Sequence, residues 1–475
     1  MGKYTRLSKN TALVFLGSTS KLINLLMLPL YTRWLTVDEY GSVDLIVVYS
    51  SLLLGIISCS LFDAIFIFPK DQPYEKKCEY FSSGMGFSLM TITGMSIVCG
   101  LLQILSRINE WHGFFFEYLW LIFGLIAVSY IQQMTQQFIR SIDRMLVYSI
   151  TGIIQTAMSV LFSFLLIPHW GVKGYVLSMI LGNVSASIYS MLHSKAYQYL
   201  HFRSISRKVT FEMLRYSVPL IPNGLMWFLI GSLNRPILEM YSGLTAVGVF
   251  AVASRFPNLL NSLYLLFQQA WFISVLEEAK KPTYQQFYNK MLKFVVIVQI
   301  FMAVLLSICC KWVIELFTTP DYYVAWKYIP LLVIGVIFMN VATFVGSNFA
   351  VTRKSKYYFY STMWSGGASL LFNLALIPMF SIWGACWAAL ISQAIGMIIR
   401  IKYSWKSVKI TELKFYVCNS FFLFGSVAVC LLLQSTWIIY PAMGMMLFYF
   451  YMINHRQINK AFVFIKNHEI YNRYR

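Results

Sequence analysis

The sequence predicts an all-α polytopic membrane protein with about 14 transmembrane helices, organised as two pseudo-symmetric six-helix lobes plus two C-terminal helices. Composition, the distribution of charge between apolar runs, and an internal duplication carry this prediction. Of 475 residues, 58% are hydrophobic, 17% aromatic and 12% charged. Mean hydropathy is +0.64. These values lie outside the range of soluble domains. The first apolar run lacks a small-residue cleavage site and is long enough to span a bilayer, so it is expected to remain as a helix. The eight cysteines are scattered, mostly within apolar runs, without metal-ligand or disulfide spacing, and are expected to fill the core.

Apolar segments of about 20 residues fall near 11–31, 43–68, 83–105, 118–139, 146–168, 174–194, 216–234, 247–276, 293–315, 328–351, 357–378, 383–401, 415–433 and 437–453. The net charge of +20 is distributed by side rather than evenly. The N-terminal stretch, every second connection and the C-terminal tail together hold 30 of the 38 basic residues, among them Lys76, Arg203, Arg207, Lys208 and Arg400. The opposite connections hold Arg33, Arg107, Lys173, Arg235, Lys311 and Lys327. By the positive-inside rule both termini are cytoplasmic and the number of spans is even. The basic excess therefore reports topology and attraction to anionic lipid, and it excludes nucleic acid as a partner.

"LIPHWGVKGYVLSMI" (166–180) aligns without a gap on "LIPMFSIWGACWAAL" (376–390), matching Pro168 with Pro378 and Gly174 with Gly384 at an offset of 210. At an offset of 207, "PLYTRWLTVDEYG" (29–41) lies on "PILEMYSGLTAVG" (236–248) and pairs Pro29 with Pro236 and Gly41 with Gly248. A parallel repeat of six helices is a transporter layout. The expected domains are an N-lobe over 1–194, a basic cytoplasmic linker over 195–215, a C-lobe over 216–405, and two additional helices with a cytoplasmic tail over 406–475.

Within "PLYTRWLTVDEYG", "TVDE" at 36–39 fits a capping box, and both acids suit the positive end of the helix that follows. Pro29 stiffens the exit of helix 1, and Gly41 allows two backbones to approach closely. "PLYTRWLTVDEYG", after the N-terminal "LSKNTALVFLGS" and before a long apolar helix, resembles the start of the O-antigen and capsular polysaccharide repeat-unit flippases. These form the polysaccharide branch of the multidrug/oligosaccharidyl-lipid/polysaccharide exporter superfamily. The "LIP…WG" strings before helices 6 and 12 are also similar to that family, and the likeness in length, helix count and duplication covers the whole chain.

The resemblance implies a bacterial inner-membrane protein that carries undecaprenyl-diphosphate-linked oligosaccharide from the cytoplasmic to the periplasmic leaflet for lipopolysaccharide, capsule or another glycan. It further implies inner-membrane lipids, a polysaccharide polymerase and chain-length proteins as partners. No cofactor is implied, and transport is open to H+ or Na+ coupling.

Charged and amide side chains inside the apolar segments mark the candidate site. Lys21 and Asn24 share one face with Gly17 and Leu28, and Arg255 shares a stripe with Asn258, Ser262 and Gln269. Lys21 and Arg255 each lie about 15 Å from a membrane surface by helical rise. A cationic cavity of this kind compensates the dehydration of the diphosphate that the resemblance implies. The competing reading is that Lys21 pairs with an acid such as Asp63 and that Arg255 bonds backbone carbonyls.

"QQMTQQFIR" places Gln133, Gln136, Gln137 and Arg140 toward the cytoplasmic end of helix 4, where they bind sugar hydroxyls or join helices. Gln155, Ser159 and Ser163, with Ser365, Ser369 and Asn373 in the other copy, have the spacing of close helix packing. Asp63, the acid well inside a predicted helix, serves either ion coupling or a salt bridge.

An enzyme is the main alternative of another class. A membrane glycosyl- or acyltransferase or a polymerase needs paired carboxylates, a His-Asp constellation or a metal site. Here the six histidines are dispersed and no acidic pair falls within a helix at i, i+3 or i+4. The major facilitator class shares the parallel repeat, but "PKDQPYEKKCEYFS" (69–82) lacks its glycine- and arginine-rich turn. Within the superfamily, a drug exporter and a lipid II flippase remain as alternatives, and the intramembrane cations favour an anionic substrate.

Overall fold

The computed structural model describes residues 23–452 apart from 24, 111, 112, 280, 353, 406, 407, 433–440, 442, 443, 446, 449 and 451. Nearly all described residues are helical and none forms a strand, as the unbroken hydropathy requires when backbone polar groups must be bonded inside each segment. Packing divides the chain into two compact units, Met1–Phe228 with Gly243–Gly248, and Leu229–Ser242 with Val249–Arg475. Among the described residues, eight helical runs are long and apolar enough to cross a membrane. Several contain a break that starts a new helix.

The described chain begins with α1 (Leu28–Trp34), α2 (Val37–Ile57) and α3 (Leu61–Ile67). The capping box at the start of α2 is present: the Thr36 amide donates to Glu39 Oε2 at 2.9 Å, and the Glu39 amide to Thr36 Oγ1 at 3.3 Å. Gly41 is a point of close approach. A Cβ there would meet the Leu244 carbonyl, and one on Gly248 would meet the Val37 carbonyl. The contact is reciprocal at the offset of 207, and between these two pairs the Thr245 hydroxyl donates to Asp38 Oδ1 at 2.5 Å.

The predicted continuous segment 43–68 is instead broken. Cys59 and Ser60 take φ of 50° and 54°, a left-handed pair that ends α2 and opens α3.

Helix α4 (Tyr74–Ile108) is followed by a single turn at Phe114–Glu117, α5 (Leu119–Ser141) and α6 (Met145–His193). Helix α6 folds back at Gly171, where φ is 50° and ψ −124°. Its limbs, 145–170 and 172–193, are knitted by the Ser163 and Ser178 hydroxyls at 2.9 Å and by Gln155 Nε2 donating to Asn183 Oδ1 at 2.6 Å. Asn183 Nδ2 extends this contact to Ser129 of α5 at 2.9 Å. The small-polar stripe is therefore packing, as its spacing suggested.

Two 3-10 turns (Ala196–Tyr199 and Phe202–Ser204), α7 (Arg207–Ser217) and α8 (Ile221–Gly231) lead to α9 (Asn234–Glu278), which breaks at Gly243. The chain continues with α10 (Tyr284–Phe317), α11 (Ile329–Val351), α12 (Ser355–Ser404) and α13 (Leu413–Leu432). Helix α12 repeats the fold-back of α6. Ser381 has φ 50° and ψ −125°, 210 residues after Gly171, and Ser365 donates to the Ser392 carbonyl at 2.7 Å across the limbs.

Just after the turn of each hairpin, Gly174 faces the Leu166 carbonyl and Gly384 the Leu376 carbonyl, leaving no space for a Cβ. The duplication is thus one of backbone shape as well as sequence. Helix α13 is fastened to α10 by Lys293 with Glu412 and by Asn289 Nδ2 donating to the Lys409 carbonyl at 3.0 Å.

Two residues counted with the connecting segments are buried within helices. Arg400 is 4% exposed in α12, and Lys311 is 7% exposed in α10 with its ammonium 4.4 Å from the Trp326 ring centre. Hydropathy registers their charge but not the hydroxyls and rings that receive it. Gly174→Ala and Gly384→Ala should each lower stability by about 1–3 kcal/mol, because the added methyl meets backbone that cannot yield as a side chain can. Thermal unfolding in detergent checks this, and an unchanged midpoint for both would refute the tight-hairpin account.

Candidate functional site

In the first unit, the break between α2 and α3 brings one candidate into a setting the sequence did not suggest. Asp63 occupies the first turn of α3 and is exposed. Its carboxylate therefore faces the positive end of a new helix instead of the middle of a long one. Among the described residues it has no ion-pair partner.

Helix α3 runs beside α5. The Phe62 and Tyr130 rings meet edge-on at 5.4 Å, and Ile65 and Met134 converge where Gly84 leaves room. One turn after Asp63, the Phe66 ring lies beneath the Arg140 guanidinium, 4.3 Å from its carbon. Tyr148, at the start of α6, presents its ring to the same guanidinium at 5.9 Å.

Arg140 ends a polar face on α5. Gln133, Gln137 and Arg140 follow at i, i+4 and i+7, and all three are half-buried. Gln132, on the adjoining face, is buried and donates to Gln136 Oε1 at 3.1 Å. Half of the glutamine cluster is thus tied within the helix, while Gln133 and Gln137 line the stripe that leads to Arg140. No carboxylate lies within ion-pair distance of Arg140 among the described residues. Aromatic faces hold a guanidinium by its plane and leave its N–H edge for an oxyanion. Asp63, Gln133, Gln137 and Arg140 are therefore brought onto two packed helices.

The other candidates stand apart from this group. Lys21 and Asn24 lie outside the described residues. In the second unit, Arg255 is half-buried on α9 and Asn258, one turn on, is exposed. The Ser262 hydroxyl of the same stripe donates to the Asn258 backbone carbonyl at 2.8 Å, and Gln269 is exposed.

A further cation of that unit is bound internally. Arg400 Nε donates to Ser361 Oγ at 3.0 Å and its Nη2 to Thr362 Oγ1 at 3.1 Å, while the Tyr358 ring lies 4.3 Å from the guanidinium carbon. Around it, Trp271 stacks on Phe344 at 4.4 Å and Asn348 links Tyr284 to Ser404. An apolar cavity lined by Leu292, Val296, Ile337, Phe338, Met397 and Tyr416 lies among α10 to α13. It has no cationic lining and does not suit a phosphate.

Sequence reasoning missed Phe66 and Tyr148, the rings that position Arg140. A signal was present: Tyr148 and Tyr358 are related by the offset of 210, and each carries a guanidinium, supplied by different helices.

Comparison with known proteins places the fold and the family. The chain superposes on the lipid II flippase MurJ in an inward closed conformation with a TM-score of 0.71 and 13% identity, over 96% of this chain and 99% of that one. An inward-facing multidrug resistance MATE transporter of the MOP superfamily gives a TM-score of 0.65 at 12% identity, over 85% and 96% of the two chains. A protein of the Lsg locus of Haemophilus influenzae is 26% identical over 261 residues, 52% of this chain. That match spans 60% of the relative's own length. Residues 7–272 match the polysaccharide biosynthesis protein family. With that match extending over more than half of its length, and a fold shared with both of those structures, the chain belongs to the polysaccharide biosynthesis protein family.

Proposed function

We propose that the protein flips undecaprenyl-diphosphate-linked oligosaccharide repeat units from the cytoplasmic to the periplasmic leaflet of the bacterial inner membrane. The termini are cytoplasmic, and the exported units pass to a polymerase and chain-length proteins for O-antigen, capsule or another surface glycan. The arrangement of Arg140 carries the reading. A half-buried guanidinium is clamped by Phe66 and Tyr148 at the end of a face lined with Gln133 and Gln137, so a cation and amides are offered together.

A diphosphate bearing sugars needs this pairing: charge-assisted donors for the phosphates and neutral amides for hydroxyls. Lys21 with Asn24, and Arg255 with Asn258, are assigned to the same cargo as further cation and amide pairs, with access alternating between the two sides of the membrane. A few fixed cations of this kind offset lost hydration without holding the anion too tightly to release. Asp63, exposed at a helix start, is the group assigned to H+ or Na+ coupling.

Expression in a strain that lacks its repeat-unit flippase should restore surface polysaccharide, with mass spectrometry identifying the glycan. Rescue of a lipid II flippase-deficient or drug-efflux-deficient strain in its place would overturn the assignment. At matched membrane levels, Arg140→Ala should reduce export about tenfold or more, the loss of one charge-assisted contact. Arg140→Lys should fall between, because an ammonium keeps the charge but neither stacks nor forks. Lys21→Ala and Arg255→Ala should each reduce export, and full export by both would remove them from the path. Asp63→Asn should leave transport insensitive to collapse of the proton or sodium gradient. A retained response would exclude Asp63 from coupling.

A further inference from the structure

The basic segment between residues 195 and 217 is fastened to the first unit along its length. The Tyr74 hydroxyl donates to the Gln198 carbonyl at 2.7 Å, and its ring packs on Tyr199 at 4.9 Å. The Ser82 hydroxyl donates to the Tyr199 carbonyl at 3.2 Å and accepts from the His201 amide at 2.8 Å. Ser83 accepts from the Ser206 amide at 3.0 Å. Ile205 occupies the space beside Gly86, and α7 buries Val209 and Met213 while Tyr216 packs on Phe68 at 5.7 Å.

These attachments fix the depth of the strap. Helix α4 has 35 residues and is therefore about 52 Å long, against a hydrocarbon core of about 30 Å. The charged residues at the start of α4 end at Glu79 and its apolar run starts near residue 83, so with the excess length shared between the two ends Ser82, Ser83 and Gly86 fall near the core boundary. The strap is held against the flank of α4 at headgroup level rather than off its end.

The surface it turns outward is amphipathic in a particular way. Phe202 is 68% exposed and Phe211 70%, so both rings are largely bare among the described residues. Lys195, Arg203, Arg207, Lys208 and Arg215 are all exposed beside them, with Glu212 the single acid between 195 and 217. Bare aromatic rings among cations, at the depth where acyl chains meet headgroups, match an anionic lipid surface in both polarity and charge.

We propose that the strap of residues 195–217 is a binding surface for anionic phospholipid headgroups, Phe202 and Phe211 entering the acyl boundary and Arg203, Arg207 and Lys208 pairing with phosphates. The surface is distinct from the transport path and does not depend on the cargo assigned above.

The full chain in detergent, titrated with dioctanoyl phosphatidylglycerol and separately with dioctanoyl phosphatidylcholine, tests this by native mass spectrometry and thermal unfolding. Phosphatidylglycerol should be retained preferentially and raise the unfolding midpoint more than phosphatidylcholine does. In the combined variant Arg203→Gln, Arg207→Gln, Lys208→Gln, the apparent affinity for phosphatidylglycerol should fall about 100-fold, at about fivefold per charge. Its affinity for phosphatidylcholine and its lipid-free midpoint should not change. Phe211→Ser should weaken both lipids.

Equal stabilisation of the unaltered chain by the two lipids would overturn the proposal, as would full phosphatidylglycerol binding by the triple variant. Binding of a poly-glutamate peptide as tight as that of phosphatidylglycerol would replace the lipid with an acidic protein partner.

Discussion

In a bilayer every backbone amide and carbonyl must find its partner inside the protein, and the remaining features of this fold follow from that requirement. Long helices meet it automatically, so the informative positions are those where a helix stops. At Gly171 and Ser381 the chain reverses within a residue or so, with nearly the same dihedral angles in both copies. The reversal brings the returning limb so close that Gly174 and Gly384 face carbonyls directly. Serine, asparagine and glutamine side chains then bond across the limbs where backbone partners are used up. The strap on α4 obeys the same rule, because the hydroxyls of Ser82 and Ser83 receive amides that have no helical partner.

The same requirement governs the cations. A guanidinium deep in an apolar fold needs acceptors or rings if no carboxylate is supplied. Arg400 has two hydroxyl acceptors and the Tyr358 ring, and its burial makes it a fastener of α12. Arg140 stands over the equivalent tyrosine of the first copy, Tyr148, and over Phe66, yet remains half-buried. One tyrosine position thus receives a guanidinium in both copies, from arginines that are not themselves equivalent. In one copy the arginine is consumed by packing, and in the other it stays half-buried with no carboxylate within ion-pair distance among the described residues.

Much of the architecture was legible because it rests on local chemistry. The capping box at Thr36 and Glu39 forms as its spacing required, and Gly41 marks a backbone contact. The strings around Gly174 and Gly384 announced a duplicated shape. The break before Asp63 was not legible: "SCS" at 58–60 contains neither proline nor glycine, and the left-handed pair is held there by its surroundings. Phe66 was indistinguishable from the many aromatics that fill spans, and the offset that relates Tyr148 to Tyr358 does not by itself mark either ring as a cation's partner. Arg400 and Lys311 counted as connecting-segment charge because a hydropathy pattern does not reveal which side chains a neighbouring helix will present.

By itself the sequence determined the all-helical, membrane-spanning class, the repeat and the polar faces along individual helices, since these depend on residue type and spacing within one segment. Only the tertiary structure decided which of those polar groups are spent on packing and which stay available. It tied Gln155 to Asn183 and Arg400 to Ser361, held Arg140 between two rings, and laid the strap against α4. Each outcome depends on which partner arrives from a distant part of the chain, and a contact between distant segments has no signature in either segment alone.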